Sequence, residues 1–144
     1  MSELAYGITK SVDRPFADVV TEVRAGLGQE GFGVITEIDV KATMKEKLGR
    51  DVAPYVILGA CNPGFAHQVL EADPQLGLFL PCNVVVFETA QGTTVSAVDP
   101  ETMLSLADAE AVAKVAAEVK ARLARIVERV LDRPEGRPRK ETGP

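Results

Sequence analysis

The sequence is short of histidine, of cysteine and, over one long stretch, of charge. It has one histidine and two cysteines in 144 residues. Between Val52 and Phe87 only Glu71 and Asp73 are charged, although the chain carries 37 charged residues in all. One histidine leaves a Ser/His/Asp triad only His67 to use, and no serine setting supports it. Two cysteines without a C-x-x-C exclude a thioredoxin-like motif. A glycine-rich phosphate loop, a G-x-S-x-G elbow, an H-E-x-x-H helix and internal repeats are all missing. The 16 basic residues do not offset 21 acidic ones, so a nucleic-acid binder, which needs a basic face, is not expected. A disordered chain would be charged throughout and poor in apolar residues; this one is 46% hydrophobic.

The uncharged run from Val52 to Leu70 approaches transmembrane length. Pro54, Gly59, Asn62, Pro63, Gly64, His67 and Gln68 lie inside it, and a lipid-facing helix would have to satisfy them all. No membrane association is expected. Lys10, Asp13 and Arg14 come early, and residues 1–9 form no apolar signal-peptide core, so a cytoplasmic location is the expectation. In a reducing compartment the two cysteines read as free thiols, metal ligands or a redox pair rather than as a staple.

The length fits one domain over residues 1–131, with 132–144 as a disordered polar tail. That tail holds Arg133, Arg137, Arg139 and Lys140, but its acidic residues make a solvated end the better reading than a basic patch. Tyr6 to Val12 reads as a strand. Asp13 and Pro15 read as the cap and first turn of a helix, with Phe16, Val19, Val20, Val23 and Leu27 on one stripe ending near Gly31. Phe32 to Val40 is strand-like, with Glu37 and Asp39 on one face. Asp39 also suits the cap of a helix from Lys41 to Leu48, closed by Gly49.

Pro54 to Cys61 reads as a buried strand. Asn62 and Pro63 have the residue types of a helix cap and first position, and that helix ends near Asp73-Pro74. Cys82 to Thr89 is the most strand-prone segment, and Gln91-Gly92 turns it into a return strand, Thr93 to Val98. Asp99-Pro100 starts a short helical turn. Asp108 to Leu131 then reads as one long amphipathic helix with Glu110–Lys114 and Glu118–Arg122 pairs. Its 24 residues would span roughly 36 Å and overhang strands of roughly 20 Å.

Cys61 and Cys82 share a setting, Cys61-Asn62-Pro63 and Pro81-Cys82-Asn83, inside the charge-poor stretch. A thiolate at Cys61 would be favoured by the helix N-terminus that follows it. His67, about one turn into that helix, could reach back towards it, and a Cys/His pair serves nucleophilic catalysis. Two cysteines and a histidine also make the soft or borderline set that zinc or copper takes, although their spacing matches no standard zinc signature. Structural readings stand beside these. A buried cysteine is often a small hydrophobe, and Asn62 and Asn83 serve equally as caps or turn formers. Glu37 and Asp39 are a carboxylate pair for acid–base work or a hard metal, or a solvated strand face ending in a cap. Glu88, closing its strand, is a similar case.

The segments Gly31-Phe32-Gly33-Val34-Ile35-Thr36-Glu37-Ile38-Asp39-Val40, Leu58-Gly59-Ala60-Cys61-Asn62-Pro63 and Leu80-Pro81-Cys82-Asn83-Val84, in that order, resemble a family. It is the small bacterial and archaeal domain catalogued as domain of unknown function 302, and the resemblance runs from Tyr6 to Leu131. It implies an α+β fold: a curved antiparallel sheet of about five strands, helices packed on it and a long C-terminal amphipathic helix. That architecture is similar to one TATA-binding-protein repeat with added helices, a likeness of fold that carries no function. The resemblance also implies a homodimer, and it implies no activity.

With strands 54–61 and 82–89 as antiparallel neighbours, Cys61 and Cys82 fall at one end of the sheet; parallel strands would hold them roughly 20 Å apart. Three readings follow. The first is a dimeric module holding a small ligand or soft metal in an apolar pocket near Cys61, His67 and Cys82, with Asn62 and Asn83 beside them. The second is a thiol redox protein or enzyme using Cys61 and Cys82, and the third a purely structural or interaction protein.

Overall fold

The structure, a computed structural model, describes residues 2–107 and 110–133. Its strands are β1 (Ser2–Glu3), β2 (Gly7–Val12), β3 (Gly33–Asp39), β4 (Tyr55–Cys61), β5 (Cys82–Thr89) and β6 (Gly92–Val98). Its helices are α1 (Phe16–Gln29), α2 (Val40–Leu48), α3 (Pro63–Ala72), α4 (Pro100–Ser105) and α5 (Ala113–Arg129), with 3-10 turns at Pro74–Phe79 and Glu110–Val112. The fold is α+β. One antiparallel sheet runs in the order β1-β2-β6-β5-β4-β3, five full strands edged by the two-residue β1. Most of the expected tail, residues 134–144, lies outside the described residues.

Alternation along the strands decides what is buried. Ile8 and Val12 of β2, Val95 and Ala97 of β6, Val84 and Val86 of β5, and Val56, Leu58 and Ala60 of β4 share one face. All are buried against Val19, Val23 and Leu27 of α1 and Val119, Leu123, Ile126 and Val127 of α5. The opposite face has a different chemistry. One row across it reads Thr9, Ser96, Val85, Ile57, Ile38; the next reads Ser11, Thr94, Phe87, Tyr55; a third holds Asn83, Gly59 and Thr36. No member of these rows is charged. Thr9 Oγ1 pairs with Ser96 Oγ at 2.7 Å, and Ser11 Oγ with Thr94 Oγ1 at 2.8 Å. The Tyr55 and Phe87 rings stack with centroids 5.2 Å apart.

Local capping follows the sequence at three helices. Asp39 accepts from Ala42 N–H at 2.9 Å and Gly49, at φ 65°, closes α2. Asn62 accepts from Phe65 N–H at 3.1 Å with Pro63 in the first turn of α3. Asp99 accepts from the N–H groups of Glu101 and Thr102 at the start of α4.

Four expectations are corrected. Asp13 does not cap α1; Pro15 is the cap residue, and Asp13 N–H donates to Asp132 O at 2.8 Å. That bond ties down the first residue of the expected tail. The long helix begins at Ala113, after the 3-10 turn that holds Glu110; Asp108, its expected start, lies outside the described residues. Glu118 and Arg122 still pair at 3.0 Å, whereas Glu110 lies outside the helix and loses the helical spacing to Lys114. Finally, a register shift between Val34 and Thr36 interrupts the simple alternation of β3.

Candidate functional site

The end of the sheet where β4 and β5 meet α3, α4 and α5 forms a partly open cavity of about 40 Å³. Antiparallel pairing builds it. Cys82 opens β5 opposite Ala60, and Cys61 is the last residue of β4, one register position along. The chain then leaves the sheet for α3, whose Phe65, Ala66 and Val69 form one wall; Val115 and Val119 of α5 form another. Phe65, Ala66 and Val69 recur at helical spacing, which turns them together towards the sheet.

The lining has no charged side chain. Its heteroatom-bearing side chains are those of Cys61, Asn62 and Cys82. The Asn62 amide is engaged at both ends: Oδ1 accepts from Phe65 N–H, and one Nδ2 hydrogen is donated to Gly31 O at 3.0 Å. Burial pushes the Cys82 thiol up to about 11, and the neighbouring Cys61 adds to the shift. At pH 7 Cys82 is thus held as the thiol.

The remaining sequence candidates lie elsewhere. His67 is on the outer side of α3, with its side chain 72% exposed and Nε2 3.6 Å from Glu71. It does not line the cavity, because the helical turn that points Phe65 and Val69 inward points residue 67 outward. Among the described residues, no group of three His, Cys, Asp or Glu side chains gathers to hold a metal. The Cys61/His67/Cys82 ligand set is therefore not assembled. Asn83 is exposed on the charge-free face, paired with Gly59. Glu37 forms an ion pair with Arg24 of α1, and Asp39 caps α2, so these two carboxylates serve separate structural tasks. Glu88 is exposed opposite Thr93.

Two features escaped the sequence reading. A wider depression of about 270 Å³, with Glu101, Ser105 and Glu110 on its walls, shares Leu104 and Ala116 with the apolar cavity. No motif marks its residues. The other is a polar corner. Arg122 Nη1 donates to Glu30 O at 2.9 Å while its guanidinium lies 5.0 Å from the Phe65 ring centre. Arg125 Nη2 donates to Glu30 Oε1 at 2.8 Å and Arg129 Nη1 to Oε2 at 3.0 Å. The hydrogen bond from Arg125, with both positive charges close by, holds the Glu30 carboxyl below the usual carboxylate range. The spacing of Arg122, Arg125 and Arg129 along one helical stripe was visible in sequence; the acceptor, more than ninety residues away, was not.

No helix among the described residues is long and apolar enough to cross a membrane. No curated protein sequence matches the chain. Among solved structures, the crystal structure of an uncharacterized conserved DUF302 protein from Bacillus stearothermophilus is similar, with a TM-score of 0.80 and 32% sequence identity. The match covers 87% of this chain and 98% of that one. The profile of the domain of unknown function DUF302 matches residues 8–130, which span β2 to the end of α5 and include both cysteines. With the sequence profile and the solved fold in agreement over most of its length, the chain belongs to the DUF302 family.

Proposed function

We propose that the protein is a binding module that takes a small apolar or soft ligand into the cavity at Cys61 and Cys82. The observation that carries this is the lining itself, which is apolar apart from Cys61, Cys82 and an amide already bonded to Gly31 and Phe65. A sugar, nucleotide or phosphate would meet no charged side chain there and would lose most of its hydration uncompensated. Typical organic ligands fill roughly 300–1,000 Å³, so a cavity of about 40 Å³ suits an ion or a group of a few atoms. Thiol chemistry that needs Cys82 as a thiolate draws less support, since burial holds that thiol protonated.

Xenon is a suitable probe. Under xenon pressure the methyl NMR signals of Ala60, Val69, Val115 and Val119 are expected to shift together, in advance of methyls elsewhere in the core. A uniform response across the core would reject the cavity as a binding site.

We infer that the partner is a second copy, seated on the charge-free sheet face. A two-fold axis sets a face against itself, so like charges on it would repel; this face has none. Its hydroxyls already satisfy one another, which lowers the cost of drying them. Ile35 and Ile38, 61% and 48% exposed, extend the apolar part to the sheet edge, and α2 beside them buries none of its residues. Five strands of this length present on the order of 500 Å² in projection. With side-chain relief added, that approaches the roughly 800 Å² per partner of a standard interface. Sedimentation should show a dimer that Val85→Lys converts to monomer. A monomeric parent protein, or a dimer indifferent to that change, would reject this face.

A further inference from the structure

We propose that two copies of the chain pack sheet on sheet about a two-fold axis that crosses the strands along the row Thr9, Ser96, Val85, Ile57, Ile38. Val85 then meets its own copy, and the Tyr55 and Phe87 rings settle over the partner's Gly59 and the partner's Asn83. The inference rests on the second-copy reading above and adds which residues meet. A face lies against itself only about an axis in the plane between the two sheets. That axis can run along the strands, diagonally or across them. Along the central strand β5 it would lay β6 on β4 and β2 on β3, with the Thr9 and Ser96 hydroxyls facing Ile38 and Ile57. A diagonal axis likewise carries hydroxyl strands onto apolar ones. Across the strands, each strand meets its own copy, in the aligned packing common to sheet pairs. The Thr9–Ser96 and Ser11–Thr94 hydroxyl pairs then stay together on β2 and β6, and the apolar side chains stay together on β5, β4 and β3. Polar groups dry against polar groups and apolar against apolar, which is the cheaper arrangement.

Area and relief fix where along the strands the axis lies. Val85 is in the middle strand of the five full strands and in the middle one of the three rows. An axis along its row overlaps all three rows, whereas one along an outer row leaves the far row uncovered and falls short of a standard interface. The rows on its two sides differ in height. Two residues one way along β4 and β5 stand Tyr55 and Phe87, with their rings stacked; two residues the other way are Gly59 and Asn83. The two-fold exchanges these rows, so the tall pair of each copy lies over the low pair of the other. Gly59 has no side chain, and Thr36 Oγ1 and the Pro81 ring lie close over the place its Cβ would take. Pro81 also lines the cavity, so the partner's rings rest beside a wall of the candidate site. Val85, Ile57, Tyr55 and Phe87 are only half-buried in the single chain, and the contact removes the rest of their apolar surface from water.

Charge complementation at the axis tests this geometry. Val85→Lys and Val85→Asp each set like charges against each other across the two-fold, so each alone should be monomeric. Mixed in equal amounts, they should form a mixed dimer at least about 100-fold tighter than either forms with itself, because opposite charges then meet. Phe87→Lys mixed with Phe87→Asp should gain less than about 10-fold, since residue 87 of one copy does not meet residue 87 of the other. In the parent protein, a sample with one copy isotope-labelled and the other unlabelled should show contacts from the Tyr55 and Phe87 ring protons to the partner's Pro81 and the partner's Asn83. Those contacts decide the matter where circular dichroism shows that a variant fails to fold. No gain on mixing the two Val85 variants, a full gain on mixing the two Phe87 variants, or Tyr55 rings touching the partner's Tyr55 would each overturn the geometry. If Val85→Lys dissociates a parent dimer but these results are absent, only the axis falls. A monomeric parent, or a dimer indifferent to Val85→Lys, removes the face and the axis together.

Discussion

Gly59 and Thr36 face each other across β3 and β4 so closely that a Cβ on residue 59 would overlap Thr36 Oγ1 and come within 2.8 Å of Pro81 Cγ. The register shift in β3 explains the crowding. It leaves Ile35 unpaired and brings Thr36 opposite Gly59, while the ring of Pro81 closes from the β5 side. Gly59→Ala is therefore expected to destabilise by about 1–3 kcal/mol through overpacking. Thr36→Ala removes one of the two obstructions, so the double variant should lose less than the sum of the singles. Urea unfolding of the four proteins measures this coupling, and strict additivity would contradict the contact.

Asn62 has two tasks, and they separate by substitution. Its Oδ1 caps α3, and its Nδ2 holds the loop at Gly31, whose φ of 84° suits glycine. Asn62→Ala should cost about 1–2 kcal/mol, one cap and one tether. Asn62→Asp keeps the cap and loses the donor, so a smaller loss is expected. Thermal melts of the two variants should rank in that order.

Lys10 closes the C-terminal end of α5 from a neighbouring strand. Its Nζ donates to Glu128 O at 2.9 Å and Val130 O at 2.5 Å and lies 3.5 Å from Asp132. These are the carbonyls a helix leaves unpaired, at the end where a cation is favoured. Lys10→Met keeps most of the apolar stem and removes the charge. It should lower stability by about 1–2 kcal/mol at unchanged urea m-value. A change of a few tenths would show that water satisfies those carbonyls equally well.

What was legible in the sequence was local. Cys82–Thr89 is a strand with the expected bounds because Val84, Val85, Val86 and Phe87 have no competing preference. Asp39, Asn62 and Asp99 cap because the accepting side chain and the N–H that donates to it lie within one turn. Asp13 misled because Pro15 takes the cap position of α1, while the Asp13 backbone N–H is bonded to Asp132 O, more than a hundred residues along the chain. The start of α5, the 3-10 turn at Pro74–Phe79 and the Glu30–Arg125 contact depend on packing between distant segments, which periodicity does not encode. The cavity was half legible. Antiparallel pairing puts Cys61 and Cys82 at the same end of the sheet, but with Cys82 in register with Ala60 the alternation turns the two side chains to opposite faces. The position of His67 could have been read from Phe65, Ala66 and Val69, since their shared face leaves residues 64, 67, 68 and 71 on the other.

The Cys82 thiol should make stability fall with pH in the alkaline range. Its proton is held up to about 11 in the fold, against roughly 8.5 in an unfolded chain. Below the unfolded value both states are protonated and the thiol contributes its full share. Between the two values the unfolded state releases a proton that the folded state keeps, so stability declines as pH rises. The decline should reach roughly 2–3 kcal/mol by pH 11. Cys82→Ala removes the titrating group, so its unfolding free energy should be flatter over the same interval, whatever its absolute loss. Urea unfolding from pH 8 to 10.5, parent against variant, measures the difference in slope. Equal slopes would mean that water reaches Cys82 in the folded protein and that the cavity is open to solvent on that side.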